Sequence, residues 1–141
     1  MHALVLGMVM QAFSVSEGAQ ERMLADLNAT RAHAGLRLLR LDNRLSRVAL
    51  EHAIEMANAG YFDHDSGDGS TPFERMRRAG CAYDWAGENL ALSPDEPAAY
   101  RALLASPGHL ENILQPHFSK VGLSAVREAD GDMLFVQDFT D

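Results

Sequence analysis

The chain has 141 residues, of which 47% are hydrophobic and 23% are charged, a composition that fits one folded domain and argues against disorder. Its formal net charge of -8 works against binding to a phosphate backbone, and it carries no nucleic-acid-binding motif, so nucleic acid is excluded as a partner. The single cysteine, Cys81, excludes an intramolecular disulfide.

Residues 1–16 form an apolar N-terminal segment, which we separate from the domain predicted over residues 17–141. The apolar run at residues 3–13 is too short to span a membrane, so the sequence predicts no transmembrane segment. Its length suits the core of a signal peptide with a cleavage site at Ser14-Val15-Ser16, but no Lys or Arg precedes it. Two interpretations stay open: a signal peptide, or a helix that packs on the domain or on a second copy of the chain.

Helical periodicity predicts three helices in the first half of the chain, over residues 16–34, from residue 42 or 43 to 60, and over residues 71–80. Ser16 is the expected N-cap of the first helix, and Gly35 and Gly60 are the expected stops of the first two. The third begins with a capping box, Thr71-Pro72-Phe73-Glu74, which places proline at the first helical position.

The second half of the chain ends in a predicted hairpin. Its expected elements are a strand, two helices and two further strands, at residues 90–92, 96–104, 106–114, 121–126 and 133–138. The Asp130-Gly131 pair is a strong hairpin signal because both residues tolerate a positive φ. Since helices come first and an antiparallel hairpin comes last, the sequence predicts an α+β fold with helices packed on a small antiparallel sheet.

Four groups of residues follow one another in a specific order, although each group alone is a weak signal. They are Leu27-Asn28 with Arg31 and Gly35-Leu36; His52-Ala53 with Gly60-Tyr61-Phe62-Asp63-His64; Gly87-Glu88-Asn89-Leu90-Ala91; and Ser106-Pro107-Gly108-His109 with Asn112-Ile113-Leu114 and Val136-Gln137-Asp138-Phe139. In this order they resemble the CAP superfamily of cysteine-rich secretory proteins, venom-antigen-type allergens and plant pathogenesis-related-1 proteins, especially its disulfide-poor bacterial branch. The resemblance implies an α-β-α sandwich, in which helices flank the sheet on both sides.

The resemblance also implies a cleft that is lined by two histidines and two glutamates and can hold a divalent metal. The positions similar to three of these residues are His64, Glu88 and His109, which are the predicted metal ligands. The second family glutamate corresponds to Ser106 in this chain, so the set of four is incomplete. Zn²⁺ is the expected ion, ahead of Ca²⁺ or Mg²⁺. The other residues expected to line the cleft are Asn89, Ser106 and His52.

The residue types allow two explanations of the predicted site. His109 falls in the first turn of a helix, where the helix dipole favours a neutral imidazole, and two neutral imidazoles can bind a zinc-like ion. Glu88 then serves as a third ligand, as a partner that orients a histidine, or as a base acting on bound water. In the other explanation Glu88 and the histidines form a hydrogen-bonded network that only fixes the loops.

Structural roles are expected for the other cleft residues. His52 lies on the apolar stripe of its helix, as a buried core histidine does, with Glu55 one turn further on. Asn89 is expected to anchor a loop through its amide. Ser106 precedes Pro107, which is the ordinary setting of a helix N-cap, and no Gly-x-Ser-x-Gly elbow supports a nucleophile.

Three functions follow as hypotheses. The first is a secreted, non-enzymatic binding module whose cleft takes a small apolar, lipid-like or peptide ligand, with or without a divalent ion; the secretion and the ligand class rest on the resemblance. The second is a metal-dependent, peptidase-like hydrolase in which His64 and His109 hold the ion and Glu88 activates water. The third is a scaffold that self-associates through residues 3–13. The oligomeric state is left open.

Overall fold

A five-stranded sheet flanked by helices makes up the part of the chain that the computed structural model describes, residues 13–141. In chain order the elements are β1 (Phe13–Val15), α1 (Glu17–His33), β2 (Arg40–Leu41), α2 (Asn43–Ala59), α3 (Pro72–Arg78), β3 (Ala86–Ser93), α4 (Glu96–Ala105), α5 (Pro107–Ile113), β4 (Lys120–Glu128) and β5 (Met133–Thr140). The predicted α+β class is confirmed.

The sheet has the order β1-β4-β5-β3. β4 and β5 form the predicted antiparallel hairpin, whose turn contains Gly131 with φ of +94°. β3 pairs antiparallel with β5 over eight positions and is an edge strand. The short strand β2 lies parallel to β4, so the sheet departs at that one pairing from the antiparallel sheet that was predicted. β1 and β2 were not predicted at all.

The alternation of side chains along β5 divides the core into two layers. Leu134 and Val136 pack with the apolar face of α2, whereas Phe135 and Phe139 belong to the cluster that contains α1, α4 and α5 residues. Successive strand residues point to opposite faces of a sheet, so every residue of β5 is covered and buried. Helices therefore flank the sheet on both sides, as the resemblance implied.

Local signals fix the ends of the helices. The side chains of Ser16 and Asp42 accept hydrogen bonds from backbone N–H groups in the first turns of α1 and α2. Gly60 ends α2 in the left-handed conformation, with φ of +72°. In α3 the Thr71 hydroxyl accepts from the Glu74 N–H at 3.2 Å, so the predicted capping position is confirmed.

Two buried contacts hold the helices that border the candidate site. A Cβ added at Gly122 of β4 would lie 2.1 Å from the Leu45 carbonyl carbon, so α2 packs directly on this strand. On the other face the fully buried Arg31 guanidinium donates to the carbonyl oxygens of Ile113, Gln115 and Phe118. It thereby satisfies the C-terminal end of α5, which carries His109.

The strand predicted over residues 90–92 is longer than expected. β3 begins at Ala86, so Glu88 and Asn89 are strand residues and not loop residues. Gly, Glu and Asn are poor strand formers, and only the long pairing with β5 places them in the sheet. This correction matters for the site, because adjacent strand residues point to opposite faces.

The N-terminal predictions fall mostly outside the described residues. Phe13, Ser14 and Val15 form β1 and pair with the end of β4. Residues 1–12 are not described, so the choice between a signal peptide and a packing helix stays a prediction, as does self-association through residues 3–13. No helix within residues 13–141 combines the length and the apolar character needed to cross a bilayer.

Candidate functional site

The candidate site is centred on an ion pair between a loop and the edge strand β3. His64, in the loop after α2, has its Nδ1 atom 2.9 Å from Oε1 of Glu88. The Glu88 side chain is 1% exposed, whereas that of His64 is 52% exposed. The carboxylate is therefore buried beneath the imidazole, which it orients towards solvent.

Arg75 of α3 is a second partner of Glu88, and this role was not predicted from the sequence. Its guanidinium donates from Nη2 to Oε2 of Glu88 at 2.8 Å, so both oxygens of the carboxylate have partners. From Nη1 it donates to the carbonyl of His64 at 2.7 Å and to Ser66 and Ser70 in the same loop. Arg75 thus holds both the carboxylate and the loop that carries the histidine, and no local pattern in the sequence indicates this long-range role.

These contacts decide the charges at the site. Burial by itself raises the pKa of Glu88, but the hydrogen bond with His64 and the positive charge of Arg75 act against burial, so the pKa is lowered and the carboxylate is ionised at neutral pH. The hydrogen bond to Glu88 raises the pKa of His64, and burial opposes this only in part. The structure therefore favours an imidazolium paired with a carboxylate.

Asp138 lies beside Glu88 in the sheet, directly across from it in the register of β3 and β5. It is fully buried, and neither of its carboxyl oxygens has a hydrogen-bond partner among residues 13–141. Burial and then the negative charge of Glu88 raise its pKa well above the ordinary value, which favours the neutral carboxylic acid at Asp138. An acidic residue in phase with the buried Leu134 and Val136 is the sequence signal that indicates such a group.

Asn89 points to the other face of the sheet, towards α5. Its amide nitrogen donates to the carbonyl of His109 at 3.0 Å and to Oε1 of Gln137 at 3.1 Å. Its oxygen accepts a hydrogen bond from Asn112 at 2.8 Å. Asn112 also reaches the backbone carbonyl of Glu88, at 3.3 Å. This amide network attaches α5 to the edge strand.

His109 is partly buried in α5, and its Nδ1 has no hydrogen-bond partner in the described chain. Burial, and then the positive charge of the nearby His64, lower the pKa of His109. The imidazole is therefore neutral at neutral pH, as expected for a helix-start histidine. The two histidines influence each other electrostatically, but only His64 is bonded to Glu88.

Two further residues that were expected to line the cleft are His52 and Ser106. The ring of His52 is fully buried, with Nε2 2.7 Å from the carbonyl oxygen of Asp63 and Nδ1 4.0 Å from Glu55. It therefore fixes the loop that precedes His64. Ser106 is the N-cap residue of α5 but makes no side-chain capping bond, contrary to the expected cap interaction.

Among the three predicted metal ligands, the nitrogen donors are the imidazoles of His64 and His109. Both oxygens of Glu88 are taken by His64 and Arg75, and the guanidinium repels a cation. Within residues 13–141 no three side chains of His, Cys, Asp or Glu form a group that could hold an ion. Among the predicted ligands, the Nδ1 atom of His109 has no hydrogen bond to a described residue, and Nδ1 of His64 is bonded to Glu88.

A cleft of about 350 Å³ opens beside His64. Its walls combine an imidazole and an amide, from His64 and Asn112, with the apolar surfaces of Pro72 and Phe73. Phe73 is 40% exposed, and Gly87 forms part of the floor. Because a Cβ at Gly87 would lie 2.8 Å from Asn112, a side chain there would displace the amide network.

A profile of the cysteine-rich secretory protein family, abbreviated CAP, matches residues 24–139. The chain therefore belongs to this family, as its four ordered motifs predicted. The absence of a second cysteine agrees with the disulfide-free branch.

Three relatives illustrate the likeness. The uncharacterized protein YkwD of Bacillus subtilis is 37% identical over 113 residues, which are 79% of this chain and 44% of that protein. An extracellular SCP-domain protein of Bacillus anthracis has a TM-score of 0.80 at 30% identity, over 87% of this chain and 40% of that one. An outer surface protein of Borrelia burgdorferi has a TM-score of 0.86 at 23% identity, over 94% and 98% of the two chains, which shows the fold alone. This chain spans less than half the length of the two Bacillus proteins.

Proposed function

We propose that this CAP domain is a non-enzymatic binding module whose cleft beside His64 takes a small ligand. The observation that carries the proposal is the buried Glu88–Arg75 pair, which holds the His64 ring, with its raised pKa, at the mouth of a partly apolar cleft. A ligand that suits these walls has a carboxylate for His64 and an apolar group for Pro72 and Phe73. Small lipid-like acids and apolar peptides with a C-terminal carboxylate meet both conditions.

A divalent ion is proposed as an addition to this site and not as its centre. Zn²⁺ would be held by the imidazoles of His64 and His109, with Glu88 orienting His64 through Nδ1 and not serving as a ligand. A bound ion would supply a Lewis-acidic contact for the carboxylate of the ligand. Protonation of His64, which Glu88 favours, competes with metal binding, so affinity is expected to rise with pH.

Hydrolysis has less support than binding. A general base needs a pKa near the working pH and access to the water that it activates. Glu88 has a lowered pKa, both of its oxygens are bonded, and its side chain is buried. No observation at the site favours the hydrolase hypothesis.

An extracytoplasmic location is proposed together with the binding role. It is supported by the descriptions of two structural relatives as an extracellular protein and an outer surface protein. A fusion of the natural N-terminal sequence to a reporter enzyme that is active only outside the cytoplasm tests this location. An inactive reporter in cells that accumulate the fusion protein would contradict it.

Ligand binding is tested with two probes, decanoate and the peptide N-acetyl-Leu-Phe, by NMR titration of the ¹⁵N-labelled chain. Saturable shifts are expected at residues 64, 73, 87–88 and 112 for at least one probe. His64→Gln should weaken binding by about tenfold, since it removes the cationic donor. The matched control His33→Gln changes an exposed histidine at the end of α1 and should bind as the wild type does. Absence of saturation with both probes, or equal affinity in the His64 variant, refutes the proposal.

The metal is tested separately by melting with and without Zn²⁺. The wild type and His33→Ala should be stabilised by the ion, and the double variant His64→Ala/His109→Ala should not. An unchanged melting temperature in the wild type, or the same rise in the double variant, removes the metal while leaving the ligand proposal standing.

A further inference from the structure

A second cavity, larger than the His64 cleft, lies between α2 and α3. It has a volume of about 790 Å³, against about 350 Å³ for the cleft. Four arginines line it: Arg44, Arg47, Arg75 and Arg78. We call it the arginine groove.

Helix geometry explains why the four arginines converge. Arg44 and Arg47 are three residues apart on α2, and Arg75 and Arg78 are three apart on α3, so each pair lies on one face of its helix. The groove between the helices is lined by both pairs. The chain has 12 basic residues and a net charge of -8, so a third of its positive side chains meet in one place on an acidic protein.

Three acidic residues, Glu51, Glu55 and Asp68, share the wall with the four arginines, so positive side chains outnumber negative ones by one. Glu55 accepts hydrogen bonds from the Tyr61 hydroxyl and the Gly67 N–H. Asp68 accepts from the backbone and side chain of Ser70 and lies 3.7 Å from Arg78. These bonds shape the loop after α2 and leave Glu51 as the other acidic residue of the wall.

Arg44 and Arg47 differ from Arg75 and Arg78, each of which has a carboxylate partner. Within residues 13–141 neither has a carboxylate oxygen within 4.0 Å, and the one hydrogen bond found for this pair runs from Arg44 to the carbonyl of Gly80. Both are exposed. Two guanidinium groups are therefore available to an incoming anion.

A buried nitrogen without a partner provides a second, independent observation. The Arg75 side chain is 10% exposed and lines the groove, and its Nε has no hydrogen-bond partner in the described chain. Buried N–H groups in folded proteins are nearly always satisfied, so an acceptor from outside the chain is expected here.

We propose that the arginine groove binds a phosphate-bearing ligand. The planar fork of a guanidinium matches two oxygens of a phosphate, which makes arginine the usual residue for such recognition. The volume lies in the range of sites for small organic ligands and exceeds what a single phosphate needs. The ligand therefore carries an organic part or a second phosphate, and it enters a different cavity from the cleft beside His64.

The proposal is tested with the double variant Arg44→Gln/Arg47→Gln and with sodium pyrophosphate as the probe. NMR titration of the full chain at constant ionic strength should give saturable shifts at residues 44–55 and 66–79. The groove variant should bind about tenfold more weakly or worse. The matched control Arg37→Gln/Arg101→Gln removes the same charge at two exposed arginines outside the groove and should keep its affinity within about twofold.

A second arm separates a soluble phosphate from a lipid headgroup. Vesicles of phosphatidylglycerol with phosphatidylcholine, and vesicles of phosphatidylcholine alone, are tested for cosedimentation with the same three chains. Pyrophosphate binding that depends on the groove identifies a soluble ligand. Binding to the anionic vesicles that depends on the groove, without pyrophosphate binding, identifies a headgroup.

The proposal is overturned if neither probe binds, or if the groove variant and the control lose affinity equally. Equal loss would mean that only the overall charge matters. Circular dichroism of both variants provides the check on folding. The groove variant leaves Arg75, and with it the bonds to Glu88 and His64, in place, so failure here is distinguishable from failure at the His64 cleft.

Discussion

Glu88 and Glu96 are both buried glutamates, and their neighbours shift their pKa values in opposite directions. Glu88 lies between the cations Arg75 and His64, which lower its pKa against the effect of burial. Glu96, in the first turn of α4, is 2% exposed, and no Lys, Arg or His nitrogen lies within 4.0 Å of it in the described part of the chain. Burial, and then Asp26 of α1, raise the pKa of Glu96 to about 7.

The surroundings of Glu96 belong to the contact between α1 and α4. The Tyr100 hydroxyl donates to the carbonyl of Asp26 at 3.0 Å and is hydrogen-bonded to Thr30. A protonated Glu96 fits this contact without an opposite charge, whereas an ionised Glu96 would repel Asp26. Burial alone therefore does not fix the charge of a carboxyl group; the charge of its neighbours does.

The largest expected effect comes from removing the cation beside Glu88. Arg75→Met leaves a buried carboxylate with one partner and should lower the free energy of unfolding by about 3–5 kcal/mol. Urea denaturation at pH 7 measures this loss. Arg77→Met, on the same helix but with an exposed guanidinium 5.2 Å from the centre of the Tyr83 ring, should cost no more than about 1 kcal/mol. Equal losses in both variants would show that the Glu88 pair is not special.

Removing the charge of Glu96 should stabilise the protein at high pH, whereas removing the charge of Arg75 should destabilise it. The raised pKa of Glu96 means that its contribution to stability is full below the unfolded-state value and is lost as pH rises through about 7. Glu96→Gln should therefore stabilise the protein at pH 8 by about 2 kcal/mol and change little at pH 4. Urea denaturation at the two pH values checks this, with the exposed Glu111→Gln as the control. A gain of equal size at both pH values would contradict the assigned charge state.

The pKa of His64 reports directly on its hydrogen bond with Glu88. Glu88→Gln removes the hydrogen-bonded carboxylate that raises the pKa of His64, so this pKa should fall. NMR titration of the imidazole measures it, and Glu111→Gln should leave the value unchanged. In the wild type the stability that the His64 imidazolium supplies is full at low pH and is lost as pH rises through the raised pKa. An unchanged His64 pKa in Glu88→Gln would show that Glu88 does not raise the pKa of His64.

The smallest effect is expected where a polar residue near the site has no bonded partner. Ser106 makes no capping hydrogen bond, so Ser106→Ala should change stability by less than about 0.5 kcal/mol. Ser16 does cap α1, and Ser16→Ala should cost about 1 kcal/mol. Thermal melts of the two variants compare them. A larger loss for Ser106 would reveal a contact that the described geometry lacks.

The sequence by itself determined the helices, the hairpin and the family. Ser16, Asp42, Gly60 and Asp130-Gly131 act on their own segments, because a cap or a turn needs only residues a few positions away. The ordered motifs likewise indicated His64, Glu88 and His109 as candidate metal ligands, and that role stays a prediction. The sequence pattern did not predict the beginning of β3, because Gly87, Glu88 and Asn89 are poor strand formers.

Only the tertiary structure decided the chemistry around these residues. The pairing of β3 with β5 sends Glu88 and Asn89 to opposite faces and places Asp138 beside Glu88. The packing of α3 against β3 brings Arg75 to the carboxylate, and the packing of α1 against α4 brings Asp26 to Glu96. These contacts join residues that are far apart along the chain, and charge states depend on distance and burial in space, which spacing in sequence does not specify.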